Sequence, residues 1–93
     1  MTDKEKKDII QKLITECKWH FDNADNYYSL KSEFDKREQN VVKPLGKKLY
    51  DAGGISLMRE VYQTVEEYCM SAYGKHCRSA LDMKWNGVGS WMG

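Results

Sequence analysis

Few side chains in this chain are equipped for chemistry. Three cysteines and two histidines stand at Cys17, His20, Cys69, His76 and Cys77. Cys17 and His20 are three residues apart, a spacing that places both on one face of a helix. Cys69 and His76 would complete a tetrahedral set for zinc, so these four are the candidate metal ligands. Two features argue against them. His76 and Cys77 are adjacent, so a helix would splay them by about 100°. Cys69 falls on an apolar stripe, where a free cysteine behaves as a small buried hydrophobe. The sequence has no Cys-x-x-Cys, no paired Glu-x-x-His and no haem-attachment motif. The expectation is inert buried thiols, no bound metal and no cofactor.

Nucleophilic catalysis finds no better footing. Cys17 with His20, or Cys69 with His76, would need an orienting third group and an oxyanion hole. Nothing in the sequence marks either. Glu66 and Glu67 are neighbours that face different ways on a helix and read as solvated surface. Gly53-Gly54 follows a helix and lacks a trailing Lys-Ser or Lys-Thr, so it is not a phosphate loop. The chain is therefore expected not to be an enzyme.

Composition narrows the remaining classes. Ninety-three residues suit one domain, residues 1–93, with one modest core. Fifteen Lys and Arg against fourteen Asp and Glu leave a net charge of +1. Nucleic-acid binding needs a basic excess that neutralises phosphates, and that excess is missing. The apolar runs are too short to span a bilayer. Residues 1–8 are charged and lead into no apolar stretch, and the cysteine count is odd without framework spacing. Both features favour a cytoplasmic setting.

The elements that would position these residues read as helices. Thr2 and Glu5 form a capping pair for the first helix, whose inner face is Ile10, Leu13, Ile14, Cys17 and Phe21. The polar run from Asp22 to Asn26 favours a boundary, giving helices over 4–21 and 24–37. A single bent helix is the alternative, because the apolar phase runs on through Tyr27, Tyr28 and Phe34. Asn40 is the expected cap of the next helix, with Pro44 in its first turn and Val41, Leu45, Leu49 and Ala52 inside. Gly46 on that side allows close contact, and Gly53 is the expected left-handed terminator. Leu57, Met58, Val61, Tyr62, Val65, Tyr68, Cys69 and Ala72 form the strongest stripe, ended by Gly74. A last helix over 75–85 would bury Cys77, Ala80, Leu81 and Trp85. The fold class expected is all-α: a compact bundle of four to five short helices with a non-helical aromatic tail, 86–93.

Six Tyr, three Trp and two Phe are many for so small a domain. Tyrosine gives large contact area at low entropic cost, so interfaces favour it. The tail adds apolar bulk to a chain end, where polar residues are usual. It is expected to pack back on its own bundle, with a second subunit or a partner as the alternative. Two segments, Pro44 to Met58 and Trp85-Asn86-Gly87-Val88-Gly89-Ser90-Trp91, together resemble small uncharacterised bacterial proteins. Those proteins carry a Gly-Gly-x-x-x-Met segment and a Trp-x-Gly-x-Gly-x-Trp end. The resemblance implies a bacterial origin and a helical fold, and it brings no activity. The functional expectation is a protein-interaction or self-assembly module, homodimeric or bound to another protein. Tyr62, Trp85, Trp91 and Met92 are its candidate contact residues. The alternative is a helical domain that binds a small ligand or a metal.

Overall fold

The computed structural model describes residues 1–92; Gly93, the last residue of the expected tail 86–93, lies outside the described residues. Three α-helices, α1 (Asp3–Asn23), α2 (Lys31–Arg37) and α3 (Lys43–Tyr73), are joined and followed by short 3₁₀ and π turns. No strand occurs among the described residues, so the all-α class holds. The expected count of four to five short helices does not, for reasons that lie in the joints. The molecule is compact, with extents of 36 × 27 × 22 Å, and no helix is long and apolar enough to cross a membrane among the described residues.

Helix α1 starts where the capping pair places it. The Glu5 N–H donates to Thr2 Oγ1 at 3.1 Å, and the Thr2 hydroxyl donates back to the Glu5 carboxylate. Ile9, Leu13, Ile14 and Cys17 are buried, and they form the face packed against α3. The inner face therefore includes Ile9, with Ile10 only half-buried. At the far end, the Asn23 amide donates to the Trp19 carbonyl at 2.8 Å. Such side-chain competition weakens a helix end, and the Asn23 backbone leaves the helical region. One 3₁₀ turn (Ala24–Asn26) and a short turn follow before α2 begins at Lys31. The break is real, but the second helix is shorter than the expected 24–37. Arg37 ties α2 to α1 by an ion pair to Glu16 at 2.9 Å and by stacking over Trp19 at 4.1 Å.

Asn40 does not cap a helix. It lies inside a π turn, Glu38–Val42, that runs into α3 with helical backbone on both sides. Pro44 supplies the reason. It has no N–H to donate, and its ring crowds the carbonyl four residues back. The wider π turn is a natural way past both, and the Lys43 N–H bonds to the Glu38 carbonyl, five residues back. The extra residue also shifts the phase of the buried face. Val42, Gly46 and Leu49 are buried, whereas Val41 and Leu45 are half-buried and Ala52 is exposed.

A kink at Gly54 divides α3, where φ is 68° and ψ is −161°. The residue with left-handed φ is thus Gly54; Gly53 keeps helical geometry within α3, and a Cβ there would stand 2.7 Å from Leu57 Cβ. Beyond the kink Met58, Val61, Val65 and Cys69 are buried, while Tyr68 and Ala72 turn outward. Gly74, at φ 65°, closes the helix, its N–H donating to the Met70 carbonyl.

No α-helix forms over 75–85. Residues 75–77 are irregular, a π turn covers Arg78–Asp82, and a 3₁₀ turn covers Met83–Trp85. Cys77, Ala80, Leu81 and Trp85 are nonetheless buried. The segment is pinned by its side chains, which override local helix geometry. Trp85 Nε1 donates to the Val42 carbonyl at 2.9 Å. A Cβ on Gly46 would stand 2.6 Å from that nitrogen and 2.8 Å from Cδ1, so the indole rests on bare backbone. Gly87, at φ 87°, then turns the chain, with the Val88 N–H donating to the Trp85 carbonyl. Gly89 passes so close to Tyr50 that a Cβ would fall 2.5 Å from its ring. Trp91 reaches back to stand edge-on to Trp85, 5.1 Å between centroids, and donates to the backbone and carboxylate of Asp82.

The Gly46–Trp85 contact is testable by Gly46→Ala. In an exposed helix interior this change stabilises by up to about 1 kcal/mol. Here it should destabilise by about 2 kcal/mol, the usual scale of overpacking, read as a lower urea midpoint with little change in slope. A raised midpoint would show that the indole is not seated on Gly46.

Candidate functional site

Two clusters of chemically capable side chains emerge, one open and one closed. The open cluster is a groove of about 440 Å³ where the end of α1, the turn after it, α2 and the C-terminal turns meet. His20 and Ala24 come from the end of α1 and its 3₁₀ turn, Tyr27 from the turn that follows, and Phe34 and Asp35 from α2. Glu38 comes from the first π turn, and Ser79, Met83 and Lys84 from the C-terminal turns.

Phe34 is the floor, 2% exposed. Trp19, His20 and Tyr27 crowd round it, with centroids 4.7, 5.2 and 5.0 Å away, and the Lys84 ammonium lies 5.2 Å above its ring. Tyr28 leans on Tyr27 at 5.6 Å and is itself 93% exposed. The carboxylates of the groove are already matched within the chain. Asp35 faces Lys31 at 3.8 Å, and Glu38 faces Lys43 at 4.0 Å. Burial lowers the Lys84 pKa, an effect that nearby Glu38 and Glu16 oppose. His20 Nε2 is 3.4 Å from the Ser79 hydroxyl, and Nδ1 is buried without a hydrogen-bond partner among the described residues. Burial, assisted by Lys84, pushes the imidazole pKa down to about 4, so it is neutral at pH 7.

The closed cluster lies between α1, α3 and the strap after Gly74. Cys17, Cys69 and Cys77 are all free and at most 1% exposed. The Cys17 thiol interacts with both others, and the contact with Cys77 together with burial pushes its pKa up. Burial raises that of Cys69 to about 11. Cys17 and Cys69 are therefore protonated at neutral pH. Glu66 holds the edge of the cluster. One carboxylate oxygen accepts from the Cys77 N–H, the Cys77 thiol and the Tyr62 hydroxyl, at 3.3, 3.4 and 3.1 Å. The other lies 2.7 Å from His76 Nδ1. Burial works against the charge on Glu66, and these hydrogen bonds overcome it and hold its pKa below the ordinary value.

The candidate metal ligands are thus scattered. Cys17 and Cys69 share the closed cluster, His20 faces the groove, and His76 is exposed on Glu66. Among the described residues no group of three or more His, Cys, Asp and Glu is placed to hold a metal ion. Trp85 and Trp91 are spent in this chain's own core, with Tyr62 half-buried beside Trp91 at 5.7 Å; Met92 is exposed. Glu66 is not plain solvated surface, as its spacing suggested. Its place four residues after Tyr62 was the one local hint, since its other partners lie beyond the Gly74 turn. The groove has no local signature at all, because its walls are up to 64 residues apart, from His20 to Lys84.

The lowered His20 pKa has a definite consequence for acid stability. Below about pH 6.5 the unfolded chain binds a proton that the native imidazole refuses until about pH 4. Native stability therefore falls as pH drops through that window. Between pH 7 and 5 the wild type should lose about 1 kcal/mol more than His20→Leu, solvent screening at the half-buried ring reducing the full effect, measured by urea unfolding at each pH. Parallel profiles for the two proteins would show that His20 titrates normally.

No model of a known protein family, no curated protein and no solved structure matches this chain, which leaves its own geometry as the ground for a functional assignment.

Proposed function

We propose that this protein is a non-enzymatic contact module whose working surface is the aromatic groove, and that a second copy of the chain is its first partner. The observation that carries this reading is the chain of rings Tyr28, Tyr27 and Phe34, running from an almost fully exposed tyrosine to a buried floor. Met83, 54% exposed, lines the other side. An exposed row of aromatic and thioether side chains beside a concave pocket is the composition that interfaces favour. The carboxylates of the groove are matched within the chain, so its unspent capacity is apolar contact. The near-zero net charge also removes long-range repulsion between copies. Cytoplasmic residence and an origin in bacteria belong to the same proposal.

A second reading, a small-ligand site in the same groove, draws on its volume, which falls in the range of roughly 300–1,000 Å³ common to such sites. A ligand held there would raise the melting temperature by mass action, and a screen with no shift would remove this reading.

The test of the main reading is native mass spectrometry and light scattering across a concentration series. Tyr28→Ser and Met83→Ser change exposed positions, so each should alter folding stability by less than about 0.5 kcal/mol. The expected result is a wild-type dimer and a pair variant that associates at least about tenfold more weakly, a loss of about 1.4 kcal/mol. A wild type that stays monomeric, or a dimer indifferent to both substitutions, would overturn it.

A further inference from the structure

The three cysteines of this chain come from remote positions, yet all meet in one buried cluster. Cys17 is brought by α1, Cys69 by α3, and Cys77 by the strap that follows Gly74. The strap and α1 are held in register at this level, since His20, one turn after Cys17, touches Ser79, two residues after Cys77. Cys77 is also the one thiol with a carboxylate against it, Glu66 Oε2. Its neighbours His76 and Arg78 are exposed, and the backbone at 75–77 is in no regular helix. Cys69, by contrast, is fixed in the body of α3.

We propose that Cys17 and Cys77 are a dithiol pair that closes to an intramolecular disulfide, joining α1 to the C-terminal strap, by exchange with a small-molecule disulfide. Lifting of the strap parts Cys77 from Glu66 and exposes it, and solvent takes up its thiol proton. The thiolate sulfur attacks one sulfur of the oxidant, forming a mixed disulfide and releasing one thiolate, which takes up a proton from solvent. When the strap settles back, Cys17 loses its proton and attacks the Cys77 sulfur, expelling the second small thiol. Two protein thiols are oxidised and one external disulfide is reduced to two thiols. Cys69 takes no part, since the strap is keyed to α1 through Ser79 and His20, which sets Cys77 against Cys17. The closed bond would lock the segment that carries Met83 and Lys84, and so one wall of the groove.

The experiment incubates the folded chain with oxidised glutathione at neutral pH and follows intact mass, then maps peptides without reduction. The expected product is a monomer about 2 Da lighter than the reduced chain, with Cys17 joined to Cys77. Cys69→Ala should give the same product, and Cys17→Ala should stop at a glutathione adduct on Cys77. A map joining Cys69 to either partner would overturn the proposal. So would a disulfide only between chains, or a folded protein that stays reduced while the urea-unfolded chain reacts. The wild-type map decides the pairing by itself, so the outcome stands even if a variant folds poorly, as circular dichroism would reveal.

Discussion

The Trp85 indole lies on the backbone of Gly46 with its N–H on the Val42 carbonyl, and the rest of the C-terminal half is arranged around that seat. The indole is the largest of the fully buried side chains, and its polar nitrogen must still find an acceptor. Only a helix face without a side chain brings ring and acceptor together. With Trp85 fixed, residues 75–85 must bridge from Gly74 to α3, and a regular α-helix does not form across that span. The π and 3₁₀ turns are the result. Trp91 then closes over Trp85, and Gly89 slips against Tyr50 because no Cβ intervenes. The tail is thereby largely consumed within its own chain, with Met92 left exposed.

The same seat sets the chemistry on both sides of the strap. On one side it carries Met83 and Lys84 to the rim of the groove, where Lys84 covers the face of Phe34. On the other it presses Cys77 toward Cys17 and Cys69, with Glu66 satisfying the backbone and thiol of Cys77 at once. The two sites differ in electrostatic economy. In the groove, burial keeps His20 neutral and exposed carboxylates are matched by nearby lysines. At the thiol cluster a single carboxylate keeps its charge because several donors converge on it. The groove is left with aromatic and thioether surface as its unspent feature, which suits contact better than reaction.

Much was legible in local pattern. The stripes at three- and four-residue spacing marked Leu13, Ile14, Cys17, Leu49, Met58, Val61, Val65 and Cys69 as core, since a helix buries one face whatever it packs against. Thr2 with Glu5 and Gly74 worked as terminators because capping is a backbone matter settled within a few residues. Val42 in place of Val41 was not legible. A π turn changes the phase of every later side chain, and its cause, Pro44, also suits an ordinary first turn. The helix expected over 75–85 failed because anchoring by Trp85 outweighed local preference.

The sequence by itself determined the all-helical class, most of the core stripe and the absence of recognisable catalytic motifs. These follow from side-chain periodicity, composition and short-range capping, which need no knowledge of the partner surface. Tertiary structure alone decided which of the two glycines at 53 and 54 breaks α3, that Trp85 sits on Gly46, and that three distant thiols meet beside Glu66. It also decided that His20 faces Phe34 across a groove while His76 stays at the surface. Each of these depends on residues tens of positions apart being brought within a few ångströms, and chain spacing carries no record of such encounters.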